Sequence, residues 1–357
     1  MAYTNIDDPS AYFTTTLWTG SGSSPRAITN DANSGNFQPD FVWTKGRNEA
    51  YEHQLYDSSR GTGESKGLTS NDTSVEGYVG RYGYLSSFDS NGFTGTAGSA
   101  SSIAYFNASS KTYVAWQWKA NGGTTSSNTD GTVTSTVQVN TDAGFSIVTW
   151  TTGLLGGNHS VGHGLGVKPA MFITKSRGGT SSWWTWHQGM AGDTSYVNLQ
   201  LNTAELTFSD IWGDGITSSV FGYNYPATVN ANQTYIAYCF AEKQGYSKFG
   251  NYKGVGSGSP FVYTGFKPAL VICKRTDSTN DWGIVDSKRE TYNGATKTLF
   301  ADLTNAESST YTVDLLSNGF RPSSNHSIFN QSGGSYIYMA FAENPFVTST
   351  GIPTTAR

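Results

Sequence analysis

Three stretches of this 357-residue chain share one pattern: FQPDFVWTK at 37–45, VKPAMFITK at 167–175 and FKPALVICK at 266–274. An internal repeat constrains a fold more than composition does, because every copy must adopt the same supersecondary unit. Aligned on Pro39, Pro169 and Pro268, the stretches end in a lysine six residues on, at Lys45, Lys175 and Lys274. Eight residues past each lysine stand His53, Trp183 and Trp282, and twelve past stand Asp57, His187 and Asp286, without a gap in any copy. A closing block recurs as TYVAWQWKA (112–120), TYIAYCFAE (234–242) and SYIYMAFAE (335–343), in register on Tyr113, Tyr235 and Tyr336. Proline-to-tyrosine spacings of 74, 66 and 68 residues place the differences in loop length. A head segment opens each copy: YFTTTLWTG (12–20), GFSIVTWTTG (144–153) and YSKFGNYKG (246–254).

The repeated letters spell β-structure. FVW, MFI and LVIC are short runs of strand-favouring residues. Proline lacks an amide donor, so its place just before each run marks a strand's first residue. DSNGF, GDGI and SNGF carry the Asn-Gly or Asp-Gly pairs of tight hairpins. The closing block is apolar on both alternating faces: in the third copy Tyr336, Tyr338 and Ala340 point one way, and Ile337, Met339 and Phe341 the other. A strand covered on both faces belongs in the middle of a sheet. No long stretch shows helical periodicity. The expected fold is therefore all-β, with three tandem, related antiparallel β-sandwich (jelly-roll-like) domains. Their expected bounds are 1–120, 133–243 and 244–347, with a polar linker or long surface hairpin at 121–132 and a tail at 348–357.

Composition narrows the function. Charged residues make up 13% and aromatics 14% of the chain, the reverse of a disordered sequence. A net charge of −4 without a Lys/Arg cluster speaks against nucleic acid as a partner. No apolar run has the length of a membrane span, so no membrane insertion is expected. MAYTNIDDPSAYF lacks the basic and apolar regions of a signal peptide. Cys239 and Cys273 sit within apolar strands and read as small buried hydrophobes.

The search for chemistry yields little. Asp57 and Asp286 could suggest a carboxylate pair, but His187 replaces them in the second copy, and D-S-x-R after a strand reads as turn organisation. Glu64, Glu76, Glu205, Asp210 and Asp214 show no shared spacing between copies. His159 and His163 stand four apart in NHSVGHGLG, where the glycines argue for a loop rather than a metal-binding helix. The closing lysines are expected to reach solvent or an edge carbonyl. No catalytic residue, cofactor or metal ligand is assigned. In SSWWTWHQ, alternation puts Trp184 and Trp186 on one face and Trp183 on the other. Trp183 reads as core, while Trp184 and Trp186 are either sheet packing or a candidate contact surface for protein or glycan.

The segments VGHGLGVKPAMFITK (161–175), WWTWH (183–187) and QTYIAYCFAE (233–242) resemble a domain family of bacteriophage virion proteins, particularly of marine phages. FQPDFVWTKGR, LYDSSRG and TYVAWQWKA resemble its sibling form, and the likeness runs from about residue 12 to 345. The third copy has YTGFKPAL in place of the Gly-His-Gly element. The resemblance implies a virion location and a structural role on the particle exterior, as a tail-fibre, spike or capsid-decorating subunit. It implies other virion proteins as partners, a symmetric homo-oligomer or multi-copy assembly, and attachment to the host surface, with a glycan-binding module as the alternative. It transfers no site residue and implies no enzyme.

Overall fold

The computed structural model describes residues 3–30, 36–153, 156–225, 228–323 and 325–354. Among them the only α-helix is the single turn Ala104–Asn107. Apart from two 3-10 turns, Pro9–Ala11 and Gly80–Tyr82, antiparallel sheets form the rest of the regular structure.

One four-strand order recurs in three sheets. Each runs head strand, tail strand, proline-led strand, then the short strand that ends in Asp57, His187 or Asp286. In the first copy these are Phe13–Thr19, Thr112–Trp118, Phe41–Gly46 and Gln54–Asp57. In the second they are Phe145–Thr151, Thr234–Phe240, Met171–Ser176 and Trp184–His187. In the third they are Ser247–Lys253, Ser335–Pro345, Phe266–Arg275 and Gly283–Asp286. Register is conserved as well as order. Lys45, Lys175 and Lys274 lie opposite Val114, Ile236 and Ile337, each one residue past the tail tyrosine. Across the other edge of the tail strand, Trp18, Trp150 and Tyr252 lie opposite those tyrosines. Their rings stack on the tyrosines at 5.2, 5.3 and 4.9 Å between centroids. Each tyrosine hydroxyl also accepts the amide five residues upstream, at Ala108, Asn230 and Gln331.

A smaller sheet accompanies each of these. The first copy pairs Arg26–Thr29, Gly92–Thr96 and Tyr84–Asp89. The second pairs Gly157–Gly162 with Val220–Tyr225, and the third pairs Val262–Tyr263, Gly319–Pro322 and Val313–Leu316. Glycine at the turn exit is a steric requirement: a Cβ on Gly92 would lie 2.0 Å from the Ile28 carbonyl oxygen, and one on Gly319 2.2 Å from that of Val262. The segment 121–132 is the surface hairpin of the two expected alternatives. Ser126–Asn128 pairs with Ser135–Asn140, which adds to the free edge of the second head strand. The C-terminal segment folds back on itself, with Val347 bridging Pro353 and the Ser349 amide bound to Asp7. Residues 355–357 of the expected tail lie outside the described ones.

The alternating tail strand divides the core. One face of the third tail strand, Tyr338 and Ala340, packs into a cluster with Val271, Phe320 and Phe329 of its own copy. Its other face, Ile337, Met339 and Phe341, joins a second cluster built from all three copies. Trp116 and Trp118 of the first tail strand and Tyr238 and Phe240 of the second enter the same cluster. Phe41 stacks on Tyr238 at 4.1 Å and Phe13 on Phe341 at 5.2 Å, so the rings interleave across copies. Where the three sheets meet, a void of about 10 Å³ lies among Phe41, Trp118, Ile173, Tyr238 and Met339. It is apolar and at the lower limit of space for one water molecule.

Candidate functional site

The residues singled out for chemistry are structural in their settings. Trp186 is 2% exposed and stacks on Phe172, and Trp184 is half-buried against Tyr196. The pair therefore forms no exposed aromatic platform; the sheet-packing alternative describes it. Trp183 is fully buried, as expected. The His159 stretch is a strand rather than the expected loop, paired with Val220–Tyr225. His163, just beyond it, is buried, with Nδ1 accepting the Leu165 amide. Among the described residues no cluster of three metal-ligating side chains occurs. Both cysteines are free and buried, and burial raises both thiol pKa values.

Of the two destinations expected for the three lysines, carbonyl or solvent, they take backbone carbonyls. All are at most 1% exposed, and each ammonium donates to two backbone carbonyls. Lys45 Nζ binds the oxygens of Gly46 and Glu49, Lys175 Nζ those of Ser176 and Thr73, and Lys274 Nζ those of Asn280 and Asn202. Burial pulls their pKa down, to about 7 for Lys45 and about 8 for Lys175 and Lys274. Thr73 belongs to the first copy and Asn202 to the second, so two of the three lysines staple adjacent copies.

These contacts belong to three junctions of one design. At the first, the turn of copy one meets the second copy. Asp57 Oδ1 accepts the Arg60 amide and Oδ2 the Arg60 guanidinium, which is the turn-organising role expected of D-S-x-R. Arg60 also reaches Glu76, and Glu76 pairs with Arg177 of the second copy. The Tyr238 hydroxyl donates to Asp57 Oδ2 at 2.8 Å, and the Trp183 indole donates to the Thr69 carbonyl at 2.8 Å. The junction between third and first copies repeats this ladder. Asp286 holds Arg289, which reaches Glu307, which pairs with Arg47 of the first copy. Trp116 replaces Tyr238 as donor to the carboxylate, at 3.0 Å from Asp286 Oδ2. His53 replaces Trp183, with Nε2 bound to the Phe300 carbonyl at 2.8 Å.

At the junction of second and third copies the aspartate and both arginines give way to uncharged side chains, and only the glutamate is kept. His187, Met190 and Thr276 stand where the other junctions have aspartate, arginine and the cross-copy arginine. The change follows from the opposing tail strand, which offers Met339 where Trp116 and Tyr238 stand. Methionine has no hydrogen to donate, so a buried carboxylate here would lose its partner, at a cost of several kcal/mol. The neutral imidazole instead donates from Nε2 to the Tyr338 carbonyl at 2.9 Å and accepts the Gly189 amide at Nδ1. The indole staple persists, from Trp282 Nε1 to the Asn198 carbonyl at 3.1 Å.

Glu76, Glu205 and Glu307 thus occupy one position in the three copies, contrary to the expectation that such acids share no spacing. Their amides donate to the carbonyls of Arg177, Thr276 and Arg47, each two residues past a repeat lysine. Insertions in the loop between turn and glutamate hide the match. The arginines two past Lys45 and Lys175 were the available signal.

Contacts run from copy one to two, two to three and three to one, so the arrangement closes on itself. The molecule is thus an all-β protein in which three antiparallel sheets of one plan surround a shared aromatic core. The chain belongs to the family described as a domain of unknown function (DUF7483), whose profile matches residues 8–345. That single profile runs through all three copies. No curated protein and no solved structure matches the chain.

Proposed function

We propose that this chain is a structural subunit on the outside of a bacteriophage particle, of tail-fibre, spike or decorating type, that acts through protein–protein contacts. The observation that carries the reading is the closed ring of junctions. Three related units holding one another through like contacts around an apolar centre are built as a homotrimer is built. A single chain of this form suits a threefold neighbour in a multi-copy assembly. The proposal treats the copies as sister sandwich domains and the chain as a binding body, not an enzyme. The ionisable groups at the junctions support it, because their hydrogen bonds are spent within their own copy or on a neighbouring one. The resemblance of the repeat motifs to virion proteins supplies the location. Mass spectrometry and immunogold labelling of purified, intact particles test it. The reading expects the protein in the particle fraction with label on the exterior; its absence from purified particles would overturn the reading.

A further inference from the structure

The junction between the third and first copies differs from the others in being crossed by no chain connection. The second and third copies are joined by the short segment 241–246, and the first and second by 119–134. The seam is closed by its own ladder, Arg289–Glu307–Arg47. The chain ends add a latch: the Tyr3 hydroxyl donates to the Gly265 carbonyl, and Asp7 accepts the Ser349 amide and hydroxyl. A cavity of about 40 Å³ remains there, lined by Ser10, Thr14 and Thr15 of the first copy and Ala269, Ser287 and Glu343 of the third. At the corresponding place between the first and second copies, Gln138 fills the space, bound to Ser58, Ser59 and the Gly123 amide.

We propose that this seam is a docking surface for a second copy of the same chain, which enters by exchange of the first copy. Three observations fit that occupant. The first copy has a cluster of its own, centred on Val42, Tyr56, Phe93 and Phe106, which an exchange would carry over intact. The contacts it makes in its own chain, on Asp286 and Glu307 on one side and on Tyr238 and Arg177 on the other, are offered unchanged by another molecule. Its tether is also suited: Asn121 to Ser127 are exposed, and the hairpin strand they lead into buries little. Fully extended, 119–134 spans about 50 Å, on the order of the diameter of a body this size. In dilute solution the tether favours closure within one chain, since it holds the first copy at an effective concentration of roughly millimolar. Exchange is expected where molecules fold crowded together. The proposal rests on the closed ring and not on the virion reading.

The test uses two full-length variants, Asp7→Cys and Ser349→Cys, each with one exposed thiol. Within a closed monomer neither thiol has a partner. After an exchange, position 7 of one molecule meets position 349 of the other. The proteins are unfolded, mixed at high concentration, refolded and oxidised, and then compared with each variant refolded alone and with wild type by light scattering. The expected result is a disulfide-linked heterodimer from the mixture only, with a species of twice the chain mass in concentrated wild type. A wild type of single mass at every concentration, with no heterodisulfide in the mixture, would overturn the proposal.

Discussion

At the residue scale, the junctions are pairs of socket and donor chosen together. Asp57 and Asp286 face a phenol and an indole, whereas His187 faces methionine and a carbonyl. Tyr238→Phe removes one donor from a buried carboxylate and is expected to cost about 1–3 kcal/mol, read as a lower urea midpoint at unchanged slope. His187→Asp should cost about 3–5 kcal/mol, because it buries an unpaired charge. Adding Met190→Arg and Met339→Trp restores the two donors to the carboxylate, with Thr276 still in place of the cross-copy arginine, so the triple variant should recover part of that loss. A triple variant no more stable than His187→Asp would contradict the pairing. The histidines also set a pH dependence. Burial lowers the pKa of His53 to about 3 and of His187 to about 4. Below about 6.5 the unfolded chain binds protons that the folded one refuses, so stability falls as pH drops from 6.5 towards 4. Asp302, pushed up to about 7 by burial, works the other way, holding a proton in the fold between about 4 and 7. Burial lowers the pKa of His163 as well. Three imidazoles against one carboxyl leave a net acid loss, measurable as urea midpoints at pH 7 and pH 4.5, and it should shrink in His187→Asn. The turn role of Asp57 was legible in D-S-x-R, because it depends on neighbours in sequence. That the lysines could end on carbonyls was also foreseen, but which carbonyls, and that two lie in a neighbouring copy, was not, because backbone carbonyls leave no trace in residue type.

At the element scale, the tail strand carries the architecture. It lies between head and proline-led strands in all three sheets, and in the third copy its two apolar faces serve two different clusters. Its amides should exchange last. Hydrogen exchange is expected to show slower exchange in Thr112–Trp118, Thr234–Phe240 and Ser335–Pro345 than in the edge strands Ser126–Asn128 and Leu206–Thr207. Equal rates in tail and edge strands would contradict the central placement. This element was readable because two-sided burial leaves an uninterrupted apolar run. The smaller sheets were harder to foresee. Gly157–Gly162 carries five polar or glycine residues among its six, and only pairing with Val220–Tyr225 makes it a strand.

At the scale of the whole molecule, the copies share a core and cannot be treated as beads on a string. The repeat was legible, since spacing and register survive in every copy, but closure into a ring was not. Closure depends on loops of unequal length, such as those carrying Glu76, Glu205 and Glu307, and on backbone acceptors such as Thr69, Asn198 and Phe300. Because the aromatic cluster takes residues from all three sheets, losing one copy exposes the core faces of the other two. Scanning calorimetry of the full chain tests this most directly. A single transition is predicted, with calorimetric and van't Hoff enthalpies equal, and Tyr238→Phe should shift that whole transition to lower temperature. Separate transitions, with the substitution moving only one of them, would contradict the shared core.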